Sequence, residues 1–252
     1  MSDAVNENEN ENEKFLRERS ADIQAMGRDE SLRAKSIEWM IHADKYKYTY
    51  NFTWMGRPII KFPNDMLAQQ EIVWRTKPDL IIETGIAHGG SIIFSASLLE
   101  LIGKGHVIGV DIDIRQHNRT EIENHPMSKR ITMIEGGSTD KAVFARVKDL
   151  AKSAKSVMVI LDSNHSHQHV YDELALYADL VTVGNYCILP DTFIEFFPKG
   201  YYSADRPWDV GNNPWTAMRQ FMASRSDFEL DPTPVAKTMI TESFDGYLKR
   251  IR

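Results

Sequence analysis

At 252 residues, with 42% hydrophobic side chains, the chain is long enough to bury a sizeable core as one large α/β domain or two small ones. Its 30 basic and 36 acidic residues give a net charge of -6, which argues against a general polyanion-binding surface, and so against a nucleic-acid partner, while leaving local basic patches open. The single cysteine, Cys187, excludes an intrachain disulfide; with no apolar run of the ~20 residues that a spanning helix needs and no basic-then-apolar leader, the expectation is a cytoplasmic protein without a membrane span.

The opening MSDAVNENENENE (1–13) is polar, acidic and repetitive, and reads as a disordered tail. Over 14–45 apolar residues recur at helical spacing (Phe15, Ile23, Met26, Leu32, Ile37, Met40, Ile41), which predicts one or two amphipathic helices. Then Tyr46, Tyr48, Tyr50, Phe52 and Trp54 alternate with polar residues, the period of a half-buried strand. That strand is either a packed edge or an aromatic wall over a ligand. Residues 14–65 are thus expected to form an N-terminal helical and aromatic cap on a larger unit, 66–252.

The middle of the chain alternates apolar runs with helical patterns. Strands are expected at 78–85, 106–113, 130–138, 156–162 and 181–191. Helices are expected at 91–105, 140–155 and 170–180, with a polar helical segment between the second and third strands. Near-continuous Val/Ile/Leu strands separated by helices mark a parallel sheet covered on both faces, and right-handed crossovers make it a doubly wound, Rossmann-like α/β sheet. In such sheets ligands sit beyond the carboxyl ends of the strands.

Each of those ends carries polar chemistry. The first gives ETGIAHGGS, where Gly85 permits a tight turn and Gly89 and Gly90 free the start of a helix. The spacing is not that of the dinucleotide fingerprint. Asp111 ends the second strand, where a carboxylate accepts ribose hydroxyls, and EGGS (135–138) ends the third, in reach of an adenine ring. Together these favour a nucleoside cofactor. Glu83 suits an ammonium better than a pyrophosphate, which places S-adenosylmethionine ahead of NAD. Asp162 and Asp191 end the fourth and fifth strands and are placed to share one hard cation, with Mg²⁺ possible. His165, three residues after Asp162, is the candidate base. The remaining histidines of LDSNHSHQHV, His167 and His169, do not supply the closed nitrogen or sulfur set of a zinc site, and His88 is expected beside the cofactor.

From about residue 45 onward the chain resembles the cephalosporin hydroxylase family, a branch of the class I S-adenosylmethionine-dependent methyltransferases. The resemblance lies in QEIVWRTKPDLIIETGIAHGGSIIFSASLLE, VIGVDIDIR, LDSNHSHQHVYDELALYADLV, NNPWTA and DGYLKRI. It implies sugar O-methylation, as in relatives similar to macrolide-sugar and rhamnosyl methyltransferases, within carbohydrate or polysaccharide biosynthesis, by a homo-oligomer. It implies that cofactor lies over the ETGIAHGGS loop, and the set expected around it is Glu83, Gly85, Ala87, Gly89, Ser91, Asp111, Ile112, Ser138 and Asp162. The D-x-x-H motif of the macrolide-sugar enzymes is matched by Asp162 (metal) and His165 (base). Those relatives carry two adjacent acids after the next strand, where this chain has Pro190 and Asp191.

After the fifth strand, 192–218 mixes Phe196, Phe197, Tyr201, Tyr202, Trp208 and Trp215 with Arg206, Asn212 and Asn213, a composition suited to a lid over a small-molecule or glycan sugar acceptor or to a subunit interface. The expected activity is therefore O-methylation of a sugar hydroxyl. Its alternatives are a component of β-lactam hydroxylation or methoxylation, for which no iron or flavin ligands are visible, and a non-catalytic cofactor-binding scaffold.

Overall fold

The computed structural model describes residues 10–202 and 206–252. The polar tail was expected to run through residue 13, but helix α1 (Glu11–Arg28) takes up its last three residues; residues 1–9 lie outside the described residues. Asn10 accepts from the N–H groups of Asn12 and Glu13, and Glu13 reaches back to the Asn10 N–H, so two letters of the repeat form a capping box. Asp29 then ends α1 and caps α2 (Glu30–Asp44) through Leu32.

The alternating aromatic stretch is not one strand. Lys47 adopts a left-handed conformation (φ 50°), Tyr48–Asn51 form a 3-10 turn, and β1 (Phe52–Trp54) folds back on β2 (Arg57–Ile59). Met55 and Gly56, both at positive φ, make the two-residue turn that such hairpins require. Three of the five rings pack inward, and Tyr46 and Tyr50 stay exposed: Tyr48 meets Trp39 and Phe52 edge-on, and Trp54 meets Phe94 while its indole N–H donates to Ser97.

Helix α3 (Pro63–Thr76), with proline at its first turn, leads into the sheet. Five parallel strands follow with their crossover helices: β3 (Leu80–Thr84), α4 (Gly90–Ile102), β4 (His106–Asp111), α5 (Gln116–Glu123), β5 (Ile131–Glu135), α6 (Lys141–Ala151), β6 (Val157–Leu161), α7 (His167–Tyr177) and β7 (Tyr186–Ile188). Helix α8 (Pro214–Ser224), β8 (Phe228–Leu230), α9 (Thr233–Thr238) and β9 (Tyr247–Arg250) complete the chain, with strand order β5-β4-β3-β6-β7-β9-β8 and β9 antiparallel to both neighbours. Successive residues of each central strand feed opposite cores: Leu80, Ile82, Val157, Val159 and Leu161 face α7 and α8, while Ile81, Met158 and Ile160 face α3 and α4. Among the described residues no helix is long and apolar enough to cross a membrane.

The predicted fifth strand, 181–191, shortens to three residues, because a bend at 181 and a turn at 183–184 occupy its first half. The predicted lid, 192–218, divides. Its last part starts α8, which packs on α7 as part of the helical layer, and residues 203–205 lie outside the described residues.

Candidate functional site

The order β4-β3-β6-β7 carries Asp111, Gly85, Asp162 and Asp191 to one carboxyl rim, and a cavity of about 660 Å³ opens there. Gly85 takes a left-handed conformation (φ 91°), and a β-carbon on it would stand 1.9 Å from the Asp162 carbonyl oxygen. Only glycine lets the two strand ends come this close. Gly90, in the first turn of α4, lies under the hairpin in the same way, 2.2 Å from the Pro58 carbonyl oxygen by the same measure.

Glu83, on β3, is fully buried, and neither carboxylate oxygen has a hydrogen-bond partner; the Ser91 hydroxyl is likewise buried and unpartnered. Burial pushes the Glu83 carboxyl up to about 7, and the nearby Ser91 hydroxyl and Lys61 charge moderate the rise without closing a hydrogen bond.

Asp162, His165 and Asp191 each bring one ligating atom into a group whose members lie within 4.8 Å of one another. His165 Nδ1 stands 3.2 Å from Asp191 Oδ2, and Trp208 meets the imidazole edge-on at 4.7 Å. Burial holds His165 below its ordinary value, against the opposing pull of Asp162. Burial also raises Asp191 to about 7, with the Glu242 charge adding to it, and raises Asp162 well above the usual carboxylate range. Asp191 itself sits at φ 58° and ψ 15°, a left-handed position that costs a non-glycine residue about 1 kcal/mol and is held here by packing at the site.

Two further residues belong to this centre and were not anticipated. Lys61, 3% exposed, pairs with Glu242 and stands 3.9 Å from Asp162 Oδ2. Its ammonium is held well above its ordinary value by Glu242 and Asp162, which outweigh burial together. Asp65 fixes the turn that carries Glu242: its carboxylate accepts from the Thr241 hydroxyl (2.5 Å), the Glu242 N–H (2.8 Å) and the Tyr247 hydroxyl (3.2 Å). Pro190 leaves the place of one acid without a carboxylate, and Glu242 brings another into the same cavity from the turn before β9. A lysine between apolar neighbours in PIIKFP was the available signal for Lys61, since a buried ammonium needs a partner. No local signal marks Glu242, 181 positions away.

The sequence model for Rhamnosyl O-methyltransferase/CmcI matches residues 46–251. The chain is 30% identical to a rhamnosyl O-methyltransferase of Mycobacterium leprae over 79% of its own length and 82% of that protein's. It belongs to this family. A rhamnosyl O-methyltransferase of Mycobacterium bovis is 32% identical over 58% of this chain and 59% of its own. Among solved structures, CmcI without ligands superposes with a TM-score of 0.59 at 23% identity, covering 81% of this chain and 77% of that one. CmcI with Mg and SAM gives 0.58 at 19%, covering 81% and 78%. At these identities the superpositions establish a shared fold.

Within the family member, the cavity gathers Glu83, Gly85, Ala87, His88, Ser91, Asp162, His165 and Asp191 from the expected set. Gly89, Asp111, Ile112 and Ser138 are not in its lining. The Asp111 carboxylate accepts from the N–H groups of Ile86 (2.8 Å), Ala87 (3.1 Å) and Asp113 (3.1 Å), so in this state it shapes the glycine loop. Gly89 packs under Ile122, Ile112 is largely exposed, and Ser138 is buried beside His169 (3.2 Å). The three histidines separate as well: His167 joins α7 to Thr216 and Gln220 of α8, and His169 bonds Ser163 (2.9 Å). Of the aromatic stretch, Tyr50 alone reaches the cavity, joined from the later segment by Phe193, Tyr202 and Trp208.

Orphaned Glu83 and Ser91 oxygens beside a loop that excludes β-carbons fit the ammonium end of S-adenosylmethionine. Two carboxylates and one imidazole, with Glu242 near, fit a hard divalent cation such as Mg²⁺.

Proposed function

We propose that this chain is an S-adenosylmethionine-dependent O-methyltransferase acting on a sugar hydroxyl, with a divalent cation held by Asp162 and Asp191. The observation that carries this reading is the convergence of Asp162, His165 and Asp191 in the same cavity as the unpartnered Glu83 carboxylate. The rhamnosyl O-methyltransferase relatives support the choice of acceptor class.

S-adenosylmethionine supplies an electrophilic methyl group, and the cation supplies positive charge that favours an ionised alcohol. The protein supplies placement and a proton acceptor. His165 is neutral at pH 7 because burial keeps it so. Its Nδ1 stands 3.2 Å from Asp191, and the tautomer protonated at Nδ1 leaves the Nε2 lone pair to receive the hydroxyl proton. Glu83 and Ser91 receive the ammonium, Gly85 keeps the backbone clear of the cofactor, and Trp208 with Tyr202 gives aromatic surface to the sugar.

Exposed Phe15, Leu16, Trp39, Tyr46, Leu67 and Trp74 support a homo-oligomeric state, and the single buried thiol supports a cytoplasmic setting in carbohydrate biosynthesis. The test is mass spectrometry of deoxysugar acceptors incubated with S-adenosylmethionine and Mg²⁺. A gain of one methylene, lost in His165→Ala, is expected; no product from any sugar, with no cofactor binding by calorimetry, ends the reading.

A further inference from the structure

The cavity is electrically divided. Its floor holds Glu83, Asp162, Asp191 and Glu242, while its lining also includes three exposed cations, Lys45, Lys47 and Arg206. None of the three has an ion-pair partner among the described residues; Asp44, the carboxylate beside Lys45 in the lining, accepts instead from the Tyr201 hydroxyl (2.9 Å). In a chain of net charge -6, three unpaired cations on one concave surface run against the general trend.

We propose that Lys45, Lys47 and Arg206 receive a phosphate group of the acceptor, so that the substrate is a phosphorylated sugar, either a nucleotide-sugar or a sugar phosphate, and not a neutral glycoside. This rests on the methyl-transfer reading above. The three unpaired cations lie on the exposed side of the cavity, so a sugar that presents a hydroxyl to His165 carries its phosphate towards the mouth. Arg206 is held there: its guanidinium lies over the Trp208 ring at 5.1 Å, and that ring meets His165 edge-on at 4.7 Å. The cation at the mouth and the base at the floor therefore flank the same indole ring. A planar guanidinium also matches the paired oxygens of a phosphate. Lys45 and Lys47 follow the C-terminus of α2, where the helix dipole favours cations, but that interaction does not require them to line the cavity.

The test is calorimetry on the full chain saturated with S-adenosylhomocysteine, titrated with TDP-rhamnose, rhamnose 1-phosphate, thymidine diphosphate and methyl rhamnoside. The phosphate-bearing sugars are expected to bind at least tenfold tighter than methyl rhamnoside, with affinity falling as salt rises. Lys45→Ala, Lys47→Ala and Arg206→Ala should each weaken them roughly fivefold, leaving S-adenosylhomocysteine affinity unchanged. TDP-rhamnose tightest, with thymidine diphosphate binding alone, identifies a nucleotide-sugar; parity with rhamnose 1-phosphate identifies the sugar phosphate. Equal binding of methyl rhamnoside overturns the proposal and leaves the methyltransferase reading standing. Substitutions that weaken S-adenosylhomocysteine instead assign the cations to the cofactor's carboxylate and also overturn it. If S-adenosylhomocysteine fails to bind, the methyltransferase reading falls, and the same phosphate titrations without it still decide whether the cations hold an anion.

Discussion

Replacing Glu83 by Gln separates folding from ligand binding at one atom pair. The Glu83 carboxyl is buried without a partner and rises from about 4.5 to about 7. At pH 4 the folded and unfolded chains both hold the proton. Between about 4.5 and 7 the unfolded chain releases it first, so the contribution of this group to stability is lost as pH climbs through that window. At about 1.4 kcal/mol per pH unit, the folded protein at pH 8 carries a cost of about 3 kcal/mol for one stranded charge. Gln has the same shape and does not titrate. The variant should therefore match the wild type at pH 4.5 and exceed it by about 3 kcal/mol at pH 8, roughly 6–12 °C in Tm for a chain of this size. Cofactor affinity should move the other way. Losing a charged hydrogen-bond acceptor for the ammonium should weaken S-adenosylhomocysteine by roughly 10- to 100-fold. Thermal scans from pH 4.5 to 8, with and without S-adenosylhomocysteine, measure both. A Gln variant that is less stable at pH 8, or that binds the ligand as tightly as the wild type, refutes the argument.

His165→Ala should lower kcat by about 10²- to 10⁴-fold without changing S-adenosylhomocysteine affinity, and the acid limb of the wild-type rate profile should have its midpoint below 6.5, because burial lowers this imidazole; a midpoint above 6.5 contradicts the assignment. Cation binding requires ionised carboxylates, and with Asp191 raised to about 7, Mg²⁺ affinity should climb steeply between pH 6 and 8 and level off above, followed by calorimetry. Asp162→Asn should abolish the increase in Tm on adding Mg²⁺, while Mg²⁺ stabilisation that survives it places the cation elsewhere. Lys61→Met should destabilise the protein by about 3–5 kcal/mol in urea titrations, since it strands Glu242 and removes the countercharge of Asp162.

The doubly wound sheet was legible because strand and helix periods alternate cleanly over 78–180, and the rim residues followed from strand ends alone. Asp162, His165 and Asp191 follow the ends of neighbouring strands, and that alone brings them together. What stayed hidden has physical causes. The aromatic alternation at 46–54 mimicked a strand because the left-handed turn at Lys47 falls on a residue with no turn signature. β8 is three residues with a charge at its centre, too short for a period. Asp111 ends β4 as expected, yet its carboxylate accepts from backbone N–H groups of the glycine loop, a competition that spacing does not reveal. Glu242 and Asp65 act through contacts more than 170 positions apart, which no local pattern encodes.

That long-range closure bears on synthesis. β9 slots between β7 and the earlier-made β8, so β7 keeps an unpaired edge until residues 247–250 emerge from the ribosome. Glu242 arrives just ahead of β9, and until then Lys61 lacks its main counter-ion. A nascent chain thus has every strand of the parallel sheet before Glu242 is in place, and the pocket is finished only after the antiparallel insertion.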